Sequence, residues 1–207
     1  MTTNPLTTHD KLRREAAGLF SKRGYGGTSM ADIARRVGVR KASLYNYYDS
    51  KADLMVELLE RSLEDWERSC DLNFAPETPI EDRLAAHLRA ALEFTQSHPQ
   101  AVGVIRLAAG QMPRDLRRRV HDILEQHERQ WREVLTDLFE QAIERGEVEA
   151  AEPEKLALFW GVFVDGLIIR QIFAAADSQP IVEQMPALWE LFWRGISGHV
   201  PSKELAI

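Results

Sequence analysis

Six histidines, one cysteine and one short glycine run are the residues of this chain whose types lend themselves to chemistry, and their spacing excludes most of it. His9, His87, His98, His121, His127 and His199 show no zinc-type pairing with carboxylates. Cys70 has no second cysteine with which to form a disulfide or share a metal. The run Gly24-Tyr25-Gly26-Gly27 is only loosely like a phosphate-binding loop, because it follows a helical stretch and not a strand. No catalytic residue, metal site or cofactor is expected, and the chain does not read as an enzyme.

Three polar residues stand out by position instead. His127 lies in the stripe Leu116, Val120, Ile123, His127, Trp131, Val134, Leu138 and Ala142, and His87 lies in Ile80, Leu84, His87, Ala91 and Phe94. Asp165 falls among Leu158, Val162, Ile169 and Ile172. All three stripes run at steps of three and four, the spacing of one helix face. A polar group buried without a partner costs roughly 1–3 kcal/mol, so each must pair with a neighbour, with water or with a ligand. A mostly apolar cavity holding a few polar groups is the usual form of a small-molecule site. Taken alone, the stripes leave His87, His127, Trp131 and Asp165 as candidates either for ligand binding or for the core. The alternative for each is a satisfied core histidine or a core ion pair.

The elements that must position these residues read as helix nearly throughout, with no alternating strand, no hairpin signal and no repeat. The expected class is all-α. Thr7-Thr8-His9-Asp10, Ser29-Met30-Ala31-Asp32 and Ser50-Lys51-Ala52-Asp53 each set a hydroxyl three residues before an acid, a helix-start signal. Nine helices follow from these signals and from the Gly and Pro breaks: Thr8–Arg23, Met30–Val37, Lys41–Tyr48, Lys51–Cys70, Ile80–Ser97, Gln100–Gln111, Arg114–Arg145, Glu154–Ala176 and Ile181–Val200.

Charge divides the chain where the helices do not. The net charge is −6, yet residues 1–55 carry ten Lys or Arg against five Asp or Glu, a net +5. The remainder carries 16 against 27, a net −11. A basic head on an acidic body points to a nucleic-acid-binding module joined to a body with another task. Within the head, Ala34 is small where two short helices would cross, and Gly38 can take the left-handed turn between them. Ile33, Val37, Val39 and Leu44 supply the small core beneath. These residues together specify a helix-turn-helix.

The same segment carries a family resemblance. Thr28-Ser29-Met30-Ala31-Asp32-Ile33-Ala34, then Gly38-Val39, then Leu44-Tyr45-Asn46-Tyr47-Tyr48-Asp49-Ser50-Lys51 resembles the DNA-binding domain of TetR-type repressors, over roughly Thr8 to Leu59. The resemblance implies a homodimer on a palindromic operator, usually released by a small-molecule effector. It implies a DNA-binding domain over residues 1–50 and a ligand-binding and dimerisation domain over residues 51–207, connected by a helix at about 51–70. It maps the recognition helix onto Arg40–Tyr48, so that Arg40, Lys41, Ser43, Tyr45, Asn46 and Tyr47 are candidates for the major groove. Arg can bind guanine bidentately and Asn adenine. Tyr45 and Lys51 match positions that hold phosphates, and Thr28 and Ser29 at the start of the second helix should also meet phosphate.

The last two helices are apolar around most of their circumference, more than one domain would cover. Phe163, Trp189, Phe192 and Trp193 are the expected dimer interface, a single larger core being the alternative. The one membrane-like stretch, Leu156 to Ala176, is interrupted by Asp165 and Arg170, so no membrane partner is expected. The opening residues MTTNPLTTHDKLRRE hold no apolar run, and with the single cysteine they suggest a reduced cytoplasm. A helical adaptor that binds another protein, with no small-molecule effector, is the competing function.

Overall fold

The computed structural model describes residues 7–202, except 73, 76, 111, 150 and 174–180. Its helices are α1 (Thr8–Arg23), α2 (Met30–Val37), α3 (Lys41–Leu44), α4 (Lys51–Ser69), α5 (Ile80–Ser97), α6 (Pro99–Ala109), α7 (Arg114–Glu144), α8 (Pro153–Phe173) and α9 (Ile181–Ser197). Among the described residues there is no strand, and the chain is all-α. The expected end of the eighth helix at Ala176 lies outside the described residues. α6 starts one residue early because Pro99 suits the first helical turn, where its missing N–H has no partner to lose.

The chain forms two compact units, residues 1–67 with 98–127 and residues 68–97 with 128–207. The first holds α1–α3, nearly all of α4, α6 and the start of α7. Its core is Leu12, Phe20, Ile33, Leu44, Leu54, Leu59, Val104 and Leu116, all buried. Packing thus groups α4 and α6 with the head, a wider body than residues 1–50 alone.

Local rules fix the head. Thr7 and Ser29 close full capping boxes with Asp10 and Asp32: each hydroxyl accepts from the acid's N–H at 3.1 Å, and each acid accepts the cap's own N–H. At the third start, Asp53 N–H donates to Ser50 Oγ at 3.1 Å. Gly38 caps α2 at φ 82°, ψ 30°, which a side chain would strain, and both its N–H and that of Val39 donate to Ala34 O at 3.0 Å. α6 lies so close on α1 that a Cβ at Gly103 would overlap Ser21 Oγ.

One helix is shorter than its sequence suggests. α3 ends at Leu44 and not Tyr48, because the N–H groups of Tyr45 and Tyr47 bond three residues back, to Ala42 O at 3.2 Å and Leu44 O at 3.0 Å. This tighter winding delivers Tyr48 into the core, where it is buried.

In the second unit α8 packs on both α5 and α9. Its centre is aromatic. Phe192 lies 5.1 Å from Trp160, 4.8 Å from Phe163 and 5.8 Å from Trp189, ring centre to ring centre, and Trp193 stacks on Trp189 at 6.0 Å. Trp189, Phe192 and Trp193 are buried and Phe163 half-buried within one protomer. Aromatic side chains of this area satisfy themselves in one core. Among the described residues of this unit, the large apolar side chains left outside are Val134 on α7, Leu158, Phe159, Val162 and Ile169 on α8, Leu191 on α9 and Val200 beyond it. No described helix is long and apolar enough to cross a membrane.

Candidate nucleic-acid interface and effector site

The crossing of α2 and α3 presents one polar surface. Arg40, at the N-cap of α3, and Lys41, Tyr45, Asn46 and Tyr47 are exposed, while Ser43 is half-buried. Tyr45 and Tyr47 are unusual for large rings in standing about half exposed, 45% and 46%. Each is held at an edge: Lys41 Nζ sits 5.9 Å over the Tyr45 ring, and Tyr47 stacks on His9 at 5.1 Å. Ser29 is exposed, and its hydroxyl is bonded to Asp32 at 2.5 Å.

Two of the expected phosphate residues do more inside the protein than outside it. Thr28 is 1% exposed, and its hydroxyl donates to Gly24 O at 3.0 Å while its N–H donates to Tyr25 O at 3.3 Å. Both donors are thus committed inward, and Thr28 ties the loop before α2 to the end of α1. Lys51, at the start of α4, donates to Tyr25 O at 2.8 Å and Thr28 O at 2.9 Å, with its ammonium 4.0 Å over the Tyr25 ring. Burial lowers its pKa. Two of its three N–H groups are thus used within the protein.

His9 has a role that its place among six scattered histidines does not suggest. It bonds Tyr48 Oη at 2.8 Å and approaches Glu57 at 3.9 Å, and Arg13 joins the group through Glu57 at 3.2 Å and Asp10 at 2.8 Å. Burial, then the hydrogen bond and charge of Glu57, raises the Tyr48 pKa. This network ties α1, the turn after α3 and α4 into one frame behind the exposed side chains. No sequence spacing announces it, because its members are 39 and 44 residues apart.

In the second unit, His87 of α5 is 2% exposed, stacked on Trp131 of α7 at 5.0 Å and tilted against Trp160 of α8 at 5.7 Å. Among the described residues neither imidazole nitrogen has a hydrogen-bond partner, nor has Trp160 Nε1 or Gln171 Oε1. Burial pushes the His87 pKa down to about 4, so the ring is neutral at physiological pH. Of the four candidate ligand residues, these observations bring His87 and Trp131 together. His127 belongs to the first unit, where its Nε2 lies 3.4 Å from Glu67 Oε1. Asp165 is exposed, on the outer stripe of α8 with Leu158, Val162 and Ile169. That stripe is apolar, as its spacing suggests, but it is not buried, since α8 is apolar on more sides than one protomer covers.

The head is a helix-turn-helix with an exposed basic and amide-bearing surface, the architecture of a DNA-binding regulator. Residues 12–58 match the model for bacterial regulatory proteins of the tetR family, and residues 81–187 match that for the tetracyclin repressor-like C-terminal domain. The chain belongs to the TetR family of transcriptional regulators.

Among curated relatives it is 31% identical over 138 residues to the HTH-type transcriptional repressor KstR2 of Mycobacterium tuberculosis, covering 66% of each chain. It is 26% identical over 150 residues to the uncharacterised HTH-type regulator YhgD of Bacillus subtilis, covering 71% of this chain and 75% of that one. The fold also matches AibR, solved with isovaleryl coenzyme A and operator DNA, at 21% identity and a TM-score of 0.69, over 91% of this chain and 97% of that one.

Proposed function

We propose that this regulator is a homodimeric repressor whose head, residues 1–50, reads a palindromic operator, and whose remainder binds a small effector that releases it. The observation that carries the reading is the exposed set Arg40, Lys41, Asn46, Tyr45 and Tyr47, held on α3 and its following turn by a part-buried frame. Arg40 and Asn46 are the base readers, because guanidinium and amide groups make bidentate pairs with guanine and adenine edges. Lys41, Ser43, Tyr45, Tyr47, Ser29 and the remaining N–H of Lys51 address the backbone or flanking edges. A regulator of this kind acts in the cytoplasm, where the buried Cys70, its pKa pushed up to about 12 by burial, stays an inert thiol.

For the effector, the unpartnered nitrogens of His87 beside Trp131 supply a buried polar point in an aromatic wall. An aromatic wall with neutral hydrogen-bonding groups favours a largely apolar ligand with an uncharged polar end. For the dimer, the exposed apolar stripe of α8 with Leu191 is the face that a second copy would cover, in place of the buried aromatics. α4 leads from Lys51 through the head, so an effector acts by preferring one disposition of the two recognition surfaces, which must match a half-site separation of about 34–36 Å.

Selection of binding sites from randomised duplex DNA tests the base readers. Asn46→Ala and Arg40→Ala should each relax preference at one position per half-site, at a cost of about 1–3 kcal/mol. An unaltered motif for both variants removes them from the reading set.

A further inference from the structure

The head of the molecule carries a second basic feature outside the helix-turn-helix. Arg114, Arg117, Arg118 and His121 follow one another at steps of three, one and three along the first turns of α7, and line a recess of about 390 Å³. All four side chains are exposed. Arg117 donates to Met112 O at 3.2 Å. Acids also stand close by: Glu125 lies 3.7 Å from His121, Asp122 is in the same cluster, and Asp115 stands three residues before Arg118.

The place of the recess is fixed by contacts within the same unit. Arg119, next to Arg118, bonds Asp53 at 2.8 Å, and Asp53 is in the first turn of α4, two residues from Lys51. The Tyr25 ring that carries Lys51 is near both acids: after burial, the charges of Asp115 and Asp53 raise its hydroxyl pKa. The Arg119–Asp53 pair therefore ties the first turns of α7 to the start of α4, beside the Lys51–Tyr25 corner.

We propose that Arg114, Arg117 and Arg118 form an auxiliary phosphate-binding surface that contacts the operator backbone alongside the helix-turn-helix. Guanidinium groups suit this task, since their planar forks bind phosphate oxygens in pairs and keep their charge at any physiological pH. The recess is a poor site for a small effector. Such sites are mostly apolar and enclose their ligand, whereas this one is open and lined by four polar or charged side chains with no aromatic wall. The surface contacts no base edges from its position on α7, so it adds affinity and salt dependence without adding sequence preference.

The inference rests on the DNA-binding reading, and one experiment separates the two. Binding of the full chain to its selected operator and to an unrelated duplex is measured by fluorescence anisotropy across a salt series. The Arg114→Gln/Arg118→Gln variant should lower the salt slope by about 0.9 for each phosphate it no longer neutralises, on both duplexes alike. Between about 50 and about 200 mM salt, each such phosphate accounts for roughly a fourfold change in affinity. The Arg114→Lys/Arg118→Lys variant should keep the wild-type slope, and circular dichroism should show all three proteins equally helical. A wild type that binds neither duplex defeats the DNA-binding reading. A wild type that binds, with an unchanged slope in the glutamine variant, overturns this inference alone, as does a loss confined to the operator. Stabilisation of the wild type by inorganic phosphate or ATP, absent in the glutamine variant and without any slope change, reassigns the recess to a soluble anion and also overturns it.

Discussion

The two units solve the problem of polar groups in opposite ways. In the first, the polar groups behind the interface have named partners: Thr28 has Gly24, Tyr48 has His9, and Lys51 has two carbonyls and an aromatic face. In the second, an aromatic core holds His87, Trp160 and Gln171 with polar atoms left over. A satisfied network rigidifies and specifies one arrangement, whereas unmet donors and acceptors remain open to a ligand or water. On the proposed function, the contrast is between a part that presents fixed side chains and a part that responds to an effector.

The largest test of this contrast compares a buried with an exposed position in the second unit. Trp189→Asp removes a side chain that is 1% exposed and buries a charge, so it should destabilise that unit by at least about 4 kcal/mol, or prevent folding. Val162→Asp, at a position 61% exposed, should leave the protomer folded and yield monomers by light scattering. Dimers persisting in a folded Val162→Asp would move the interface off α8.

Next comes the leftover histidine. Its folded pKa, about 4, lies below the unfolded value of 6.5, so the unfolded chain binds the extra proton first as pH falls. Stability contributed by the neutral ring is complete above pH 6.5 and declines as pH drops towards 4, by on the order of 3 kcal/mol across that window. His87→Leu should flatten this part of the pH profile without loss at neutral pH. A wild-type slope unchanged by the substitution would show that His87 has partners that keep it titrating normally.

Within the first unit the effects are smaller and local. Gly103→Ala puts a methyl against Ser21 and should cost roughly 1–3 kcal/mol in chemical denaturation, despite the gain in helix propensity. Ser29→Ala removes one capping hydroxyl and should cost about 1 kcal/mol. If Gly103→Ala were stabilising, α6 would not be clasped to α1 as closely as described.

How much of this was legible in the residues follows the same division. The head was readable because its determinants are local: Ser29 and Asp32 close a cap three residues apart, and Gly38 sits where α2 must turn. Most helix boundaries followed from such signals to within a few residues. α3 did not, since the pull on Tyr48 comes from His9, 39 residues away. In the second unit the apolar stripes were legible, but not which stripe faces inward. Trp189 and Val162 are both apolar and at helical spacing, and only the packing of α8 on α5 and α9 decides that one is core and the other surface. His127 and Asp165 group with His87 in the sequence for the same reason, since periodicity gives a face without naming its neighbour.

If a symmetric pair of these heads reads DNA through Arg40, Asn46 and their neighbours, selection by the purified chain from randomised duplex DNA should enrich a palindrome whose half-sites lie about one helical turn, or a small multiple of it, apart. Enrichment of a non-palindromic sequence, or none above background at moderate salt, would contradict it.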